Sequence, residues 1–227
     1  MDFEVVIREQ AKELESIEAE DGLVPRAGIK EAEKAILYPN ILVILGVRRC
    51  GKSVFSYLLA KGKKFGYINF DDERLLGVQA GDLNNILEAF YSMYGDIELV
   101  ILDEAQLVAG WELFANRIRR TKKVIVTGSN SKLLSGELAT HLTGRHLDAT
   151  LYPYSFSEYL QARKFETGKF YTTKEKAMLL TILTEYMQNG GFTETLKFGR
   201  KMAAAIYGDI ITKDIIIHSN FDFVIYP

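Results

Sequence analysis

Residues 41–53 read Ile-Leu-Val-Ile-Leu-Gly-Val-Arg-Arg-Cys-Gly-Lys-Ser, and this stretch limits the fold more than any other. Five consecutive apolar residues fit a strand buried on both faces, as strands of a parallel sheet are. The next eight, Gly46 to Ser53, follow the pattern of a glycine, four residues, then Gly-Lys-Ser. The glycines let the backbone curl so that successive N–H groups converge on a phosphate. Helix-forming sequence from Lys52 to about Ala60 adds the positive end of a helix. A glycine-rich turn that binds nothing has no need of both flanks.

Each part of this loop has a separate task. Lys52 brings a point charge to β- and γ-phosphates, and Ser53 brings a hydroxyl to Mg²⁺. The loop therefore predicts ATP and Mg²⁺ as ligands. Gly46, Val47, Arg48, Arg49, Cys50, Gly51, Lys52, Ser53 and the following Val54 line the expected nucleotide site.

Strands and helices alternate after the loop. Strands are predicted at Phe65 to Phe70, Leu99 to Leu102 and Val124 to Thr127, with His146 to Leu151 a shorter fifth. Helical sequence lies near 82–94, 105–120 and 131–142. This alternation predicts an α/β fold, a parallel sheet flanked by helices. Two helices precede it, over residues 3–20 and Ile29 to Leu37, with Pro39-Asn40 ending the second. From Pro153 the pattern turns helical, over Ser155 to Lys164, Thr173 to Gln188 and Ala203 to His218. The expected organisation is a helical lead-in over 1–40, a core over 41–152 and a small helical region over 153–227.

Two further strands end in polar groups. Leu99-Val-Ile-Leu102 runs into Asp103-Glu104. Asp103 is suited to hold Mg²⁺ through water, and Glu104 to polarise a water for attack on the γ-phosphate. The other strand, Val124 to Thr127, leads into Gly128-Ser129-Asn130. Ligands of open parallel sheets sit beyond the carboxyl ends of strands. Ser129 or Asn130 can thus reach the γ-phosphate or the attacking water, or cap the next helix.

Together these signals resemble the additional-strand class of P-loop ATPases, which includes the AAA+ proteins. That class has an extra strand between the phosphate-loop strand and the Asp-Glu strand, and Phe65 to Phe70 can be that strand. The match narrows over Tyr67-Ile-Asn-Phe-Asp-Asp-Glu-Arg74, Leu102-Asp-Glu-Ala-Gln106, Thr127-Gly-Ser-Asn-Ser131, Thr143-Gly-Arg145, Leu151-Tyr-Pro-Tyr-Ser-Phe-Ser-Glu-Tyr-Leu160 and Gly190-Gly-Phe-Thr-Glu194. This order is similar to archaeal and bacterial AAA+-type ATPases that carry a domain of unknown function after the ATPase. The resemblance implies an ATP-hydrolysing switch or motor. Members continue into a winged-helix-like segment and a further domain, so a chain ending at Pro227 reads as short or as a fragment. The resemblance also gives Arg145 a role near the rim of the cleft, toward its own γ-phosphate or, in a homo-oligomer, a neighbour's; a surface ion pair is the plainer reading.

Other residues admit bland readings. Arg48 and Arg49 can meet phosphate or an acid such as Asp71 or Asp72. Asp71-Asp72-Glu73 can lie near the metal or in a solvated loop. The basic cluster Arg117, Arg119, Arg120, Lys122 and Lys123 can touch DNA phosphates, but equally suits a solvated helix end. A DNA or protein partner rests on little more. A net charge of −2 gives no global attraction to nucleic acid. The single cysteine, Cys50, excludes an intrachain disulfide framework. The charged N-terminus lacks a signal core, and no apolar run matches a membrane span, so a cytoplasmic location is expected. No guanine-reading Asn-Lys-x-Asp occurs, which argues against GTP. A small-molecule phosphotransferase and a non-catalytic ATP-binding module remain as rivals, the first disfavoured by the paired acids.

Overall fold

The computed structural model describes residues 2–21, 23–128 and 142–212. The chain divides into two compact units. The first holds the described residues of Met1–Gly46 and Gly51–Leu151, and the second those of Val47–Cys50 and Tyr152–Pro227.

The first unit is built on five parallel strands, β1 (Ile41–Leu45), β2 (Phe65–Asn69), β3 (Leu99–Asp103), β4 (Lys123–Gly128) and β5 (His146–Thr150). Their order across the sheet is β2-β3-β4-β1-β5, and every pairing is parallel. All residues of β1 and β3 are buried, which accounts for their unbroken apolar sequence. Edge strand β5 is half-exposed and reads His-Leu-Asp-Ala-Thr, without such a run.

The structure corrects one sequence expectation here. The strand lying between β1 and β3 in space is β4, not Phe65 to Phe70. That segment intervenes only along the chain; as β2 it forms the far edge, paired with β3 alone. Sequence order does not encode sheet order once crossovers are allowed.

Helices α1 (Phe3–Asp21), α2 (Ile29–Leu37), α3 (Lys52–Ala60), α4 (Leu83–Tyr94) and α5 (Trp111–Ile118) complete this unit. In α1, Val6, Ile7, Gln10 and Leu14 are buried, the spacing of one helix face. Gln10 finishes the edge of the sheet. Its amide nitrogen donates to the Asn69 carbonyl at 3.0 Å and its oxygen accepts the Asn69 N–H at 2.8 Å. One side chain thus satisfies two backbone groups that an edge strand leaves open. Gly66 of β2 is a packing requirement, since a Cβ there would lie 2.5 Å from ring carbons of buried Phe90 on α4. The expected helix over 105–120 is interrupted. A 3₁₀ turn spans Ala105–Leu107, and α5 begins only after Gly110, whose φ of 80° needs glycine. The helix expected over 131–142 lies, but for its last residue, outside the described residues.

The second unit contains α6 (Phe156–Ala162), α7 (Thr173–Asn189), α8 (Thr193–Phe198) and α9 (Arg200–Ile210). Helix α8 has no counterpart in the sequence reading, and α9 begins three residues before the expected Ala203. Tyr159, Leu160 and Ile182 form a small core. Capping boxes start α6, through Ser155 and Glu158, and α7, through Thr172 and Glu175. The Tyr154 N–H donates to the Gly191 carbonyl at 2.7 Å, and the Tyr186 hydroxyl donates to the Tyr154 carbonyl at 2.9 Å.

Candidate functional site

The carboxyl ends of β1, β3 and β4 lie side by side, and the polar residues of the first unit converge there. Gly46 follows β1. Gly51, at φ 92°, opens α3 in a conformation that favours glycine. The next residue, Lys52, is only 5% exposed. Its ammonium donates to the Gly46 carbonyl at 3.1 Å and lies 3.3 Å from Glu104 Oε1. A buried lysine needs such partners, because an unpaired charge at that depth is costly.

Asp103 ends β3 and is fully buried. Its Oδ2 accepts the Tyr67 hydroxyl at 2.7 Å, and its Oδ1 accepts the Thr127 hydroxyl. The Ser53 side chain hydrogen-bonds the same carboxylate. Burial pushes the Asp103 carboxyl above its usual range, while hydrogen bonds from Ser53, Thr127 and Tyr67 pull it back down. Burial, with the Asp103 carboxylate next to it, pushes the Tyr67 phenol well above its ordinary value. Tyr67 is therefore a protonated donor.

Glu104 departs from the strand in the left-handed region, at φ 51° and ψ 42°. A non-glycine residue there carries strain of roughly 1–3 kcal/mol, and such strain concentrates at functional sites. Its N–H donates to Thr127 Oγ1 at 3.1 Å. One threonine hydroxyl thus links both acids, donating to Asp103 and accepting from Glu104. Gln106 donates its side-chain amide to Glu104 Oε2. Between Lys52 and Gln106, both oxygens of Glu104 are held.

The donor set suits Mg²⁺. A hydroxyl and a carboxylate in contact are the hard oxygen ligands that cation selects, with room left for water and phosphate oxygens. Ser53 and Asp103 are the residues that fit it.

Lys52, Ser53, Asp103 and Glu104 come together as their spacing suggested. Tyr67, Thr127 and Gln106 belong to the same cluster, yet the sequence reading assigned them no chemistry. The only signal for Thr127 is a hydroxyl ending an apolar strand. Ser129 and Asn130 lie outside the described residues.

Arg145 requires a correction. It is exposed and directly precedes β5, with its carbonyl accepting the Ile41 N–H at 2.9 Å. Residue 41 opens β1, and His146 pairs with it. Arg145 therefore sits at the amino end of the strands, about 16 Å from the carboxyl end where the loop begins. That separation places it away from the rim position expected of it.

Arg49 meets acids, one of its two sequence readings, though not the ones named there. Within the second unit it pairs with Glu194 of α8 at 2.9 Å and with Asp209 of α9 at 3.0 Å, rather than with Asp71 or Asp72. Its φ is 63°, and Cys50 donates to Val47 in a turn beside it. Asp72 instead binds Arg74 and Gln10, and its carboxyl is held below the usual range, chiefly by Arg74. Among the described residues no helix is long and apolar enough to cross a membrane.

Comparison with known proteins agrees with this geometry. Residues 38–160 match the family described as AAA domain. An uncharacterized protein of Methanocaldococcus jannaschii, MJ1544, is 43% identical over 163 residues, 70% of this chain and 37% of its own length. An uncharacterized protein of Haemophilus influenzae is 31% identical over 196 residues, 82% of this chain and 45% of its own. The chain thus spans about two fifths of the length of these relatives. Among solved structures, the Walker-type ATPase PABY2304 of Pyrococcus abyssi superposes with a TM-score of 0.55 at 15% identity, over 87% of this chain and 76% of that one. The S. cerevisiae Hsp104-ADP complex gives 0.56 at 11% identity, over 90% of this chain and 34% of the other. At these identities the likeness is one of fold, the parallel sheet of P-loop ATPases.

Proposed function

The chain belongs to the AAA domain family, and on that footing we propose that it binds ATP with Mg²⁺ and hydrolyses the γ-phosphate, acting as a switch or motor. The observation that carries this reading is the convergence of Lys52, Ser53, Asp103 and Glu104 on adjoining strand ends, with Lys52 paired to Glu104 at 3.3 Å.

That pair suggests how binding and chemistry are linked. When triphosphate enters, Lys52 exchanges the Glu104 carboxylate for phosphate oxygens, which carry more charge. Glu104, released, accepts a proton from a water whose oxygen bonds to the γ-phosphorus. The bond from that phosphorus to the bridging oxygen breaks, and ADP and phosphate leave. Ser53 and, through water, Asp103 would hold Mg²⁺, which would supply charge neutralisation on the phosphate oxygens. Thr127 keeps the two acids in fixed relation throughout.

Thermal melting with Lys52→Ala tests the site. Mg-ATP is expected to raise the melting temperature of the native chain and not of the variant, and the native chain is expected to release phosphate without an acceptor. Equal stabilisation of the variant places ATP elsewhere. Stabilisation of the native chain without phosphate release favours the non-catalytic module, and phosphate recovered on an added small molecule favours the phosphotransferase.

A further inference from the structure

We propose that Tyr67 is a positioning residue for the metal-nucleotide site, holding the Asp103 carboxylate in the orientation that metal-bound water meets. The proposal rests on the ATP and Mg²⁺ reading above and assigns a role to an edge strand that otherwise contributes no chemistry.

Sheet register explains why residue 67 can do this. Tyr67 lies opposite Ile101, and Asn69 opposite Asp103. Alternate residues of a strand share a face, so Tyr67 is the diagonal, same-face neighbour of Asp103. A short side chain does not span that diagonal, whereas a phenol does, and its hydroxyl reaches Oδ2 at 2.7 Å. The ring is buried, with 5% exposure, so it cannot swing away into solvent.

The network around it is closed. The Ser53 side chain hydrogen-bonds both Tyr67 and Asp103, and Thr127 occupies Oδ1. When the Ser53 oxygen turns to a cation, Asp103 loses one of its three side-chain donors. The phenol and Thr127 then fix the carboxylate from opposite oxygens. With phenylalanine at this position, Oδ2 loses the phenol that fixes it. A fully buried carboxylate so deprived is free to rotate, and that change weakens its hold on the metal's water.

The test is equilibrium binding of a fluorescent ATP analogue to Tyr67→Phe, first with EDTA and then across a Mg²⁺ titration. Affinity in EDTA is expected to match the native chain within about twofold, because Lys52 and the loop backbone keep their contacts. The Mg²⁺ concentration giving half-maximal tightening is expected to rise roughly tenfold, the scale seen when partners of metal-ligating groups are removed. An unchanged Mg²⁺ midpoint with normal folding overturns the proposal. Asp103→Asn, alone and combined with Tyr67→Phe, supplies the second measurement. If Tyr67 acts through the carboxylate, its removal adds no further midpoint shift in that background, where a neutral amide leaves no orphaned charge. A full additional shift there overturns the role even if the single variant fails to fold. Native chain that binds the analogue with no Mg²⁺ dependence fails the site reading itself and takes this role with it; loss confined to the Tyr67 prediction leaves that reading standing.

Discussion

The two units hold their shape by different means. In the first, inner strands β1 and β3 are buried throughout and β4 at all but Lys123, and one continuous core runs from Val6 and Ile7 through the sheet to Phe90 and Ile118. In the second, Tyr159, Leu160 and Ile182 form a small buried cluster with partly buried aromatics and leucines around it, Phe192, Ala203 and Ile206 are buried as well, and Phe170, Met187, Phe198 and Tyr207 are exposed. There, capping boxes and a few backbone contacts supply specificity that area does not. The chemistry follows the same division. Lys52, Asp103 and Glu104 all lie in the first unit, where a large core surrounds their partners. The second unit holds a single buried acid, Glu158, among the described residues, and Arg49 there is paired at an exposed position where each ion pair contributes little.

The largest expected effect sharpens this contrast. Glu104→Gln retains shape and the contact to Gln106 but removes the base, so hydrolysis should fall roughly 10²–10⁴-fold while ATP stays bound. Hydrogen exchange should be unchanged in α6 to α9, because Lys52 and Gln106, which hold this carboxylate, both lie in the first unit. Phosphate release at the native rate removes Glu104 from the chemistry.

How much of this was legible in sequence follows from what each feature depends on. β1 and β3 are readable because burial on both faces forces unbroken apolar runs, and the phosphate loop because curling demands glycines at set positions. Lys52, Ser53, Asp103 and Glu104 are readable because they sit at fixed offsets from those strands. Tyr67 and Thr127 are not, since their importance arises from which strands become neighbours, and β4 slots between β1 and β3 without any local mark. Arg145 was misread for the same reason. Its place beside β1 was inferable, but which end of the strand it meets depends on the parallel register. The small core of the second unit left α8 without a strong periodic signal.

Glycine substitutions probe whether the units unfold separately. A Cβ at Gly191 would sit 2.1 Å from the Tyr154 carbonyl oxygen, a backbone atom that cannot turn aside. Gly191→Ala should therefore cost about 3 kcal/mol, the upper end for overpacking, all of it in the second unit. Amide protection should drop in α6 and α7 and persist in β1, β3 and β4. Gly66→Ala, pressed against Phe90, should cost somewhat less because a ring can shift, and should lower protection across the sheet. Matching losses in both units from Gly191→Ala would show one cooperative block and dissolve the contrast.

The smallest effect concerns the caps. Ser155 Oγ accepts the Glu158 N–H at 3.3 Å, and Glu158 Oε2 accepts the Ser155 N–H at 2.7 Å and its hydroxyl at 2.8 Å. Glu158 is buried, with 6% exposure, so the hydroxyl it loses is not readily replaced by water. At α7 the same motif is exposed, and solvent can replace the Thr172 hydroxyl at Glu175. Ser155→Ala should thus destabilise the second unit by about 1 kcal/mol, the usual worth of an N-cap, and Thr172→Ala by less. Denaturant melts followed through exchange of α6 and α7 amides measure both. Equal costs at the two caps would mean that burial of Glu158 adds nothing, and that the second unit depends on its caps only locally, helix by helix, rather than through the packed start of α6.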